Sequence, residues 1–288
     1  MNHSLLKRTR TTLEMIKFEH SVFALPFALT GAVLAVHGWP SLRQVLWIVV
    51  AMVGARSAAM TFNRIADLKF DAVNPRTRER ALPRGRLTLR FAAGFTVVSC
   101  GVLVLAAYEL NSLAFKLSPL ALALLLGYSY TKRFTTLSHL VLGACLGLAP
   151  VAAWIAVRGD LRPSVLLLGV AVMFWVAGFD LIYACQDVDF DRRHGLRSVP
   201  ARFGVRAALW LSALLHIAML GLLVMVASME NLGWVAFLGL AAVAALLAYE
   251  HGLVRPSDLS RLNAAFFNIN GYVSVLFFAT WATDVLVH

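Results

Sequence analysis

Apolar residues in this chain fall into nine long runs that are separated by shorter polar segments. Each run has about the 20 residues that a helix needs to cross the hydrocarbon core of a bilayer. The predicted spans are 18–37, 42–63, 88–107, 111–129, 136–156, 163–183, 206–228, 231–252 and 262–286. The pattern predicts an all-α, polytopic membrane bundle of about nine transmembrane helices. No interdomain linker interrupts it, so we expect a single domain over residues 1–288.

Composition and charge support this class. The chain is 60% hydrophobic and 14% charged, and its mean hydropathy of +0.75 is far above that of an ordinary soluble domain. The net charge of +11 is spread over the loops. No nucleic-acid-binding module is visible in the sequence, so nucleic acid is not an expected partner. Cys100, Cys145 and Cys185 are far apart in apolar runs, which indicates neither a disulfide framework nor a zinc site.

The Lys and Arg residues predict how the helices are oriented. Loops that stay in the cytoplasm are enriched in both residue types. If the N-terminus is inside, all but five of the 26 basic residues lie in cytoplasmic segments. The exceptions are Arg43, Arg158 and Arg162 on the opposite side and Arg56 and Lys116 within spans. We therefore expect a bacterial-type inner (plasma) membrane protein, embedded in lipid, with its N-terminus in the cytoplasm.

Two acidic patterns occur at the predicted cytoplasmic ends of the second and sixth spans. They are Asn63-x3-Asp67-x3-Asp71 and Tyr183-x3-Asp187-x3-Asp191. Carboxylates four residues apart share one face of a helix and repel each other unless a cation lies between them. An all-oxygen ligand set favours Mg²⁺, which usually binds through one or two carboxylates together with substrate phosphates. The patterns therefore indicate a shared metal site in a membrane enzyme that acts on a diphosphate.

Other charged residues lie on the same helical stripes. Arg56 precedes Asn63 by seven residues, which places it on the face of the first pattern. A charge this far inside a span is costly and usually faces a cavity, so we expect Arg56 to bind an anion; structural neutralisation of a buried acid is the alternative. Asp180 precedes Asp187 by the same interval. Asp189 points away from this stripe and is expected to be solvated.

Several basic residues lie next to the acidic patterns. Lys132 and Arg133 end the fourth span, and Arg76 follows the first pattern. Arg and Lys both bind phosphate and carboxylate oxygens; charge that only orients the loops is the alternative. The eight His residues show no pairing at ligand spacing, and we assign them no role. The order of helix, acidic pattern and basic residues recurs about 120 positions later, which suggests an internal repeat.

At these residues the chain resembles the UbiA superfamily of intramembrane prenyltransferases over essentially its whole length. The matching features are both acidic patterns, Arg56, the stretch Asn74-Pro75-Arg76-Thr77-x-x-Arg80, the pair Lys132-Arg133 and the run from Gly195 to Gly204. One position departs, because Arg64 follows Asn63 where many members have Asp. Within the superfamily the chain is most similar to 4-hydroxybenzoate polyprenyltransferases and to the related enzymes that prenylate naphthoates for menaquinone.

The resemblance implies a Mg²⁺-dependent prenyl transfer from a polyprenyl diphosphate to an aromatic acid. The implied metal ligands are Asp67, Asp71, Asp187 and Asp191, assisted by Asn63. The implied residues for the diphosphate or acceptor are Arg56, Arg76, Lys132, Tyr183 and Asp180, with Arg133 catalytic beside the four acids. The allylic C–O bond ionises, and the ring carbon ortho to the phenol of 4-hydroxybenzoate captures the cation for ubiquinone biosynthesis. A dihydroxynaphthoate on the route to menaquinone is the alternative acceptor.

Two other classes of membrane protein also carry intramembrane acids. A CDP-alcohol phosphotransferase requires an Asp-Gly-x2-Ala-Arg core, which this sequence lacks. A transporter places its charged site near the bilayer midplane, whereas the acids here gather at the predicted cytoplasmic ends of helices. The pattern therefore favours the prenyltransferase.

Overall fold

A computed structural model of the chain describes residues 3–16, 21–256, 258, 259, 261, 262 and 268–287. The regular elements in these residues are helical. In chain order, helices α1 to α13 are His3–Ile16, Ser21–Val36, Leu42–Ala66, Leu68–Val73, Leu89–Leu110, Ser112–Thr131, Ser138–Arg158, Pro163–Ala184, Val188–Arg193, Val199–Phe203, Val205–Met229, Trp234–Leu253 and Asn270–Val287. A 3-10 turn, Cys185–Asp187, joins α8 to α9.

Most of the predicted membrane spans are present as long apolar helices. Eight helices among the described residues are long and apolar enough to cross a membrane, and each coincides with a predicted span. The remaining span falls on α2, where the apolar helix Phe23–Val36 is shorter. Residues 18–20 and 263–267, inside two predicted spans, lie outside the described residues. The all-α membrane fold is confirmed.

The segments between the spans contain short helices that the apolar pattern does not predict. Helices α4 and α9 have six residues each, and α10 has five. Helix α1 lies in the basic N-terminal segment, and its Met15 and Ile16 are buried against Leu82 and Leu87. Because these helices are short or charged, they lack the 20-residue apolar length from which the spans were predicted.

The chain forms two compact units. The first unit comprises Met1–Ser21 and Leu46–Tyr130, and the second comprises Val22–Val45 and Thr131–His288. The first acidic pattern belongs to the first unit and the second pattern to the second unit, so each is described separately below. The single domain expected over 1–288 stays a prediction.

Glycines set the packing of the helix that carries the second acidic pattern. A Cβ on Gly143 or Gly147 of α7 would lie 2.2 Å or 2.4 Å from the carbonyl oxygens of Met173 or Gly169 on α8. Small residues at this four-residue spacing let two membrane helices bring their backbones together. The absence of these side chains therefore lets α7 and α8 touch directly, and it fixes the helix that leads to Asp187.

Helix α3, which leads to the first acidic pattern, is packed in a similar way within the first unit. A Cβ on Gly54 would lie 2.9 Å from the backbone nitrogen of Leu103 on α5. Any larger residue at this position would therefore push α3 away from α5. The close approach holds α3 at a fixed distance from α5.

Candidate active site

The first acidic pattern crosses a short break between two helices. Helix α3 ends at Ala66, and Asp67, with φ −91° and ψ 5°, precedes the six-residue helix α4. Backbone hydrogen bonds from Asp67 N to Asn63 O (2.9 Å) and from Asp71 N to Asp67 O (2.8 Å) continue through the break. The helical register therefore survives, and the three side chains remain on one stripe as predicted.

The structure pairs the polar side chains of this pattern. Asn63 donates its Nδ2–H to Asp67 Oδ2 at 3.0 Å, so it orients the first carboxylate. Arg80 donates from Nη1 to both oxygens of Asp71 at 2.8 Å. Asp71 is only 6% exposed, and a buried carboxylate needs a charged or hydrogen-bonded partner. Arg80, from the following loop, provides that partner.

Arg64 is a buried cation inside the first pattern. Its side chain is 8% exposed, and Nη1 donates to Asn63 Oδ1 at 3.4 Å. The charged groups that act on it include the carboxylates of Asp71 and Asp67. The residue after Asn63 therefore carries a positive charge next to two negative ones.

The loop after the first pattern is braced by its own hydrogen bonds. The Thr77 hydroxyl donates to the backbone oxygen of Asp71 at 3.1 Å, and the backbone N–H of Arg76 donates to Asn74 Oδ1 at 2.9 Å. Further along, the hydrogen bond from Arg84 lowers the pKa of the exposed Glu79. Arg76 itself is exposed.

The second acidic pattern repeats the backbone geometry of the first. Asp187 has φ −102° and ψ 8° and precedes the six-residue helix α9, just as Asp67 precedes α4. The two residues are 120 positions apart, as are Asp71 and Asp191. In both patterns the first aspartate lies at the helix break and the second is buried in the short helix that follows. This recurrence agrees with the predicted internal repeat.

Asp191 is the most deeply buried of the four predicted metal ligands. Its exposed fraction is 1%. Oδ2 accepts hydrogen bonds from the Ser198 hydroxyl at 2.7 Å and from Lys132 Nζ at 2.9 Å. Oδ1 is also buried but has no hydrogen-bond partner among the described residues. A buried carboxylate oxygen without a partner is costly, so this atom is a candidate ligand for a cation.

The donor set fits a Mg²⁺ site that water and substrate complete better than it fits a metal site formed by protein ligands alone. Asp187 and Asp191 are both buried, and carboxylate oxygens are the ligands that this hard cation prefers. Within the described residues, no group of three or more His, Cys, Asp or Glu side chains could hold a metal ion by itself. Mg²⁺ usually completes its coordination with water and substrate phosphates. The residues therefore fit a cation that binds together with a diphosphate.

The segment after α9 is tied to the turn that carries Lys132. The backbone N–H of Arg197 donates to Lys132 O at 2.7 Å, and its Nη1 donates to Phe134 O at 2.8 Å. Arg133 is half-buried in the same turn. Lys132 forms an ion pair with Asp191, and its predicted role toward the diphosphate or the acceptor stays a prediction.

The structure adds a histidine that sequence reasoning left without a role. His139, near the start of α7, is 4% exposed, and its Nδ1 lies 2.6 Å from Asp180 Oδ2. Its Nε2 lies 3.5 Å from the backbone nitrogen of Val199 at the start of α10. One imidazole thus links three segments of the second unit. The one signal for this role in the sequence is that His139 is a polar residue near the start of an apolar run.

A second buried polar network involves α8 at Trp175, five residues before Asp180. Trp175 donates its indole N–H to Asn270 Oδ1 at 2.8 Å, and Asn270 donates to Glu250 Oε1 at 2.6 Å. His216 Nε2 lies 3.2 Å from Trp175 O. Gly178 makes room for this ring, because a Cβ there would lie 2.3 Å from His216 Nε2. The network joins α8, α11, α12 and α13.

Comparison with known proteins identifies the family. Residues 24–272 match the UbiA prenyltransferase family. The chain belongs to this family. It is 33% identical to the 4-hydroxybenzoate octaprenyltransferase of Alkalilimnicola ehrlichii, over 86% of this chain and 85% of that protein. It is 34% identical to the enzyme of the same name from Nitrosospira multiformis, over 90% and 89%.

Solved structures agree with the UbiA assignment. A UbiA homologue from Aeropyrum pernix K1, determined without ligand, superimposes with a TM-score of 0.84 and 36% identity, covering 93% of this chain and 98% of that chain. A homologue from Archaeoglobus fulgidus bound to DMAPP and Mg²⁺ has a TM-score of 0.72 and 19% identity, covering 96% and 99%. The second likeness shows the shared fold. This UbiA family member is a prenyltransferase and an integral membrane protein.

The remaining predicted site residues are placed as follows in this UbiA protein. Arg56 is half-buried in α3, inside the span as expected. Tyr183 is half-buried one turn before Asp187 and packs against two hydrophobic clusters of the second unit. Asp189 is exposed, which confirms that it is solvated. The role of Asp180 toward the diphosphate, and one metal site shared by both patterns, stay predictions.

Proposed function

We propose that the protein transfers a polyprenyl group from a polyprenyl diphosphate to the ring carbon ortho to the phenol of 4-hydroxybenzoate. The names of the relatives, which cover most of the chain at 33% and 34% identity, support this acceptor and an octaprenyl donor. The observation that carries the mechanism is the buried Asp191 carboxylate, with Lys132 on one oxygen and, within the described part of the chain, no hydrogen-bond partner on the other. Such an arrangement suits a cation and an anion that bind together.

The carboxylates of both patterns are proposed to bind Mg²⁺ and the donor diphosphate. They are Asp67, Asp71, Asp187 and Asp191, with Asn63 orienting Asp67. When bound, Mg²⁺ neutralises the charge that develops on the leaving diphosphate. The structures of the Archaeoglobus fulgidus homologue with DMAPP or GPP and Mg²⁺ support a metal-dependent reaction here.

Basic side chains are proposed to take part of the diphosphate charge. Lys132 Nζ lies 2.9 Å from Asp191, so it stands next to any phosphate oxygen that binds at that carboxylate. Arg133 occupies the same turn, and Arg56 and Arg76 are the candidates in the first unit. Preorganised cations stabilise a leaving group most when water is excluded. We assign these four residues to the diphosphate or to the acceptor carboxylate.

The membrane fold is proposed to protect the allylic cation from water. Helices α7 and α8 pack backbone to backbone at Gly143 and Gly147, so the bundle is closed to water at these positions. Exclusion of water prevents hydrolysis of a reactive intermediate. Membrane lipid surrounds the bundle in this proposal. The distribution of Lys and Arg supports an orientation in which the N-terminus and both acidic patterns face the cytoplasmic side of an inner membrane.

The test is a membrane assay with Mg²⁺ and a labelled polyprenyl diphosphate. 4-Hydroxybenzoate and a dihydroxynaphthoate are offered separately, and products are identified by mass. Prenylated hydroxybenzoate that disappears with EDTA is the expected result. Product from the naphthoate alone would keep the chemistry and overturn the acceptor, and no product from either in folded protein would overturn the proposal.

Matched variants test the metal ligands in the same assay. Asp187→Asn removes a buried predicted ligand, and Asp189→Asn removes an exposed carboxylate two residues away on the same short segment. We expect Asp187→Asn to lose most of its turnover at every Mg²⁺ concentration, and Asp189→Asn to keep it. Equal activity in both variants would contradict the metal assignment.

A further inference from the structure

Aromatic prenylation needs a base as well as a metal. After the allylic cation adds to the ring, the attacked carbon carries both the prenyl group and its original hydrogen. That C–H bond must break, its electron pair must return to the ring, and a group must accept the proton. We propose that Asp180, positioned by His139, is this proton acceptor. The inference rests on the proposed function, because it assigns the last step of that reaction.

The two second aspartates of the acidic patterns are poor candidates for this base. Asp71 is held on both oxygens by Arg80 at 2.8 Å, and Asp191 is held by Lys132 and Ser198. These contacts occupy both oxygens of Asp71, and among the described residues they leave Asp191 only the buried Oδ1, which is the candidate metal ligand. Asp180 differs, because its partner is a histidine.

The position of Asp180 on α8 suits a base for the acceptor ring. It lies seven residues before Asp187, on the side of the pattern that leads into the apolar span. With four residues in α-helical and three in 3-10 geometry, the two side chains point within about 40° of each other, roughly 12 Å apart along the axis. The base would then share the helix face of the diphosphate site and lie deeper in the membrane, where the acceptor ring must meet the prenyl group.

Asp180 is also accessible, unlike Asp191. Its side chain is 21% exposed, whereas that of Asp191 is 1% exposed. An ionisable residue within a membrane-spanning helix usually faces the protein interior or a water-filled cavity. The exposed part of this carboxylate is therefore available to a substrate.

His139 fixes which oxygen of Asp180 can accept the proton. The backbone N–H of Val199 can only donate, so His139 Nε2 accepts that hydrogen bond at 3.5 Å. The imidazole hydrogen then sits on Nδ1 and is donated to Asp180 Oδ2 at 2.6 Å. Oδ2 is occupied, and Oδ1 remains to take the ring proton. His139 does not touch the ring in this scheme and acts as a positioning residue.

The step is balanced without any further reactant. The ring C–H bond breaks, its two electrons restore aromaticity, and a new O–H bond forms at Asp180 Oδ1. The carboxylic acid later releases the proton to water. The negative charge of Asp180 also stabilises the positive charge of the ring before the proton leaves.

The experiment uses the full-length protein and 4-hydroxybenzoate that carries deuterium at both positions ortho to the phenol. Consumption of the prenyl diphosphate and formation of the prenylated product are measured separately for the wild type, Asp180→Asn, Asp180→Glu and His139→Gln. We expect Asp180→Asn to form product about 10²–10⁴-fold more slowly with an unchanged KM for the diphosphate. A primary isotope effect larger than that of the wild type should accompany the loss.

The other variants separate catalysis from folding. Asp180→Glu keeps a carboxylate and should recover part of the rate, and His139→Gln should slow product formation less than Asp180→Asn while also raising the isotope effect. Unchanged turnover in Asp180→Asn would overturn this inference and leave the proposed function in place. So would a loss in both Asp180 variants with a raised KM for the diphosphate and no added isotope effect, which would return Asp180 to the diphosphate. Wild-type protein without prenylated hydroxybenzoate would overturn the proposed function as well.

Discussion

Lys132 Nζ lies 2.9 Å from Asp191 Oδ2, and the carboxylate it contacts is 1% exposed. The Ser198 hydroxyl donates to the same oxygen at 2.7 Å. A lysine that is distant in sequence therefore neutralises one buried charge of the second acidic pattern, and a nearby serine hydrogen-bonds to the same oxygen. The ion pair explains why a lysine ends a membrane helix at this point, and its removal should be measurable in both stability and activity.

Replacement of Lys132 by Met should destabilise the protein by about 1–3 kcal/mol. When both groups of an ion pair are buried, loss of one partner lowers the free energy of unfolding by about 3–5 kcal/mol. We expect a smaller loss here because Lys132 is 34% exposed. The midpoint of thermal unfolding in detergent should fall, and prenyl transfer should be largely lost. Lys116→Met is the control, since Lys116 is exposed on α6. Equal midpoints for the two variants would show that the pair contributes nothing.

Replacement of Arg80 by Gln should remove both charged hydrogen bonds to Asp71. Arg80 donates to both oxygens of this carboxylate, which is 6% exposed. Hydrogen bonds to a charged group contribute about 1.5–3 kcal/mol, so the unfolding midpoint should fall. Arg80→Lys should recover part of the loss. Arg78→Gln provides the comparison, because Arg78 is exposed and lies 3.9 Å from the exposed Glu79. A stability loss as large in Arg78→Gln would contradict the assignment.

A methyl group at Gly178 should separate α8 from α11. The added Cβ would lie 2.3 Å from His216 Nε2, so the ring must leave its contact with Trp175 O. Overpacking of this kind typically costs about 1–3 kcal/mol. Among the described residues, a Cβ on Gly221 meets no atom within 4 Å outside the local backbone of its own helix. Gly221→Ala should therefore be neutral or slightly stabilising, since Ala is the better helix former. Thermal unfolding of both variants checks the prediction, and equal midpoints would disprove it.

Acid should remove one contact at the end of α7. The Trp154 indole N–H donates to Asp160 Oδ1 at 2.9 Å, and this bond, followed by Arg158, lowers the pKa of Asp160 below its ordinary value of 3.8. The stabilisation is complete above that value and disappears as the pH falls through the lowered pKa. Trp154→Phe should therefore be less stable than the wild type at pH 7, with a smaller difference at the lowest pH at which both remain folded. Trp210→Phe, at an exposed ring, controls for loss of a tryptophan. A difference that does not shrink on acidification would contradict the assignment to Asp160.

The features that the sequence predicts well are those that depend on spacing along the chain. A run of 20 apolar residues is itself the condition for a membrane helix. Asn63 and Asp67 are four residues apart, and the predicted shared face brings their side chains to 3.0 Å. The amphipathic helix α1 was not predicted, because its apolar residues matter only when they meet Leu82 and Leu87.

The features that the sequence does not predict are pairs between distant segments. His139 and Asp180 are on different helices, and no periodicity relates them. Lys132 was assigned to the substrate because it is basic and lies at a helix end, and neither property reveals that Asp191 is 2.9 Å away. Partners of this kind depend on how α7, α8 and the segment after α9 pack together.

The place of Lys132 in the chain has a consequence for how the protein can be divided or could have evolved. The cation that pairs with Asp71 is Arg80, which follows it in sequence, whereas the cation that pairs with Asp191 is Lys132, which precedes it by a long interval. If the two acidic patterns arose by duplication of one ancestral half, this cation was therefore not copied together with the pattern. A two-piece version of the enzyme should therefore be cut before Thr131. A cut after Arg133 would give one fragment the carboxylate and the other fragment its lysine.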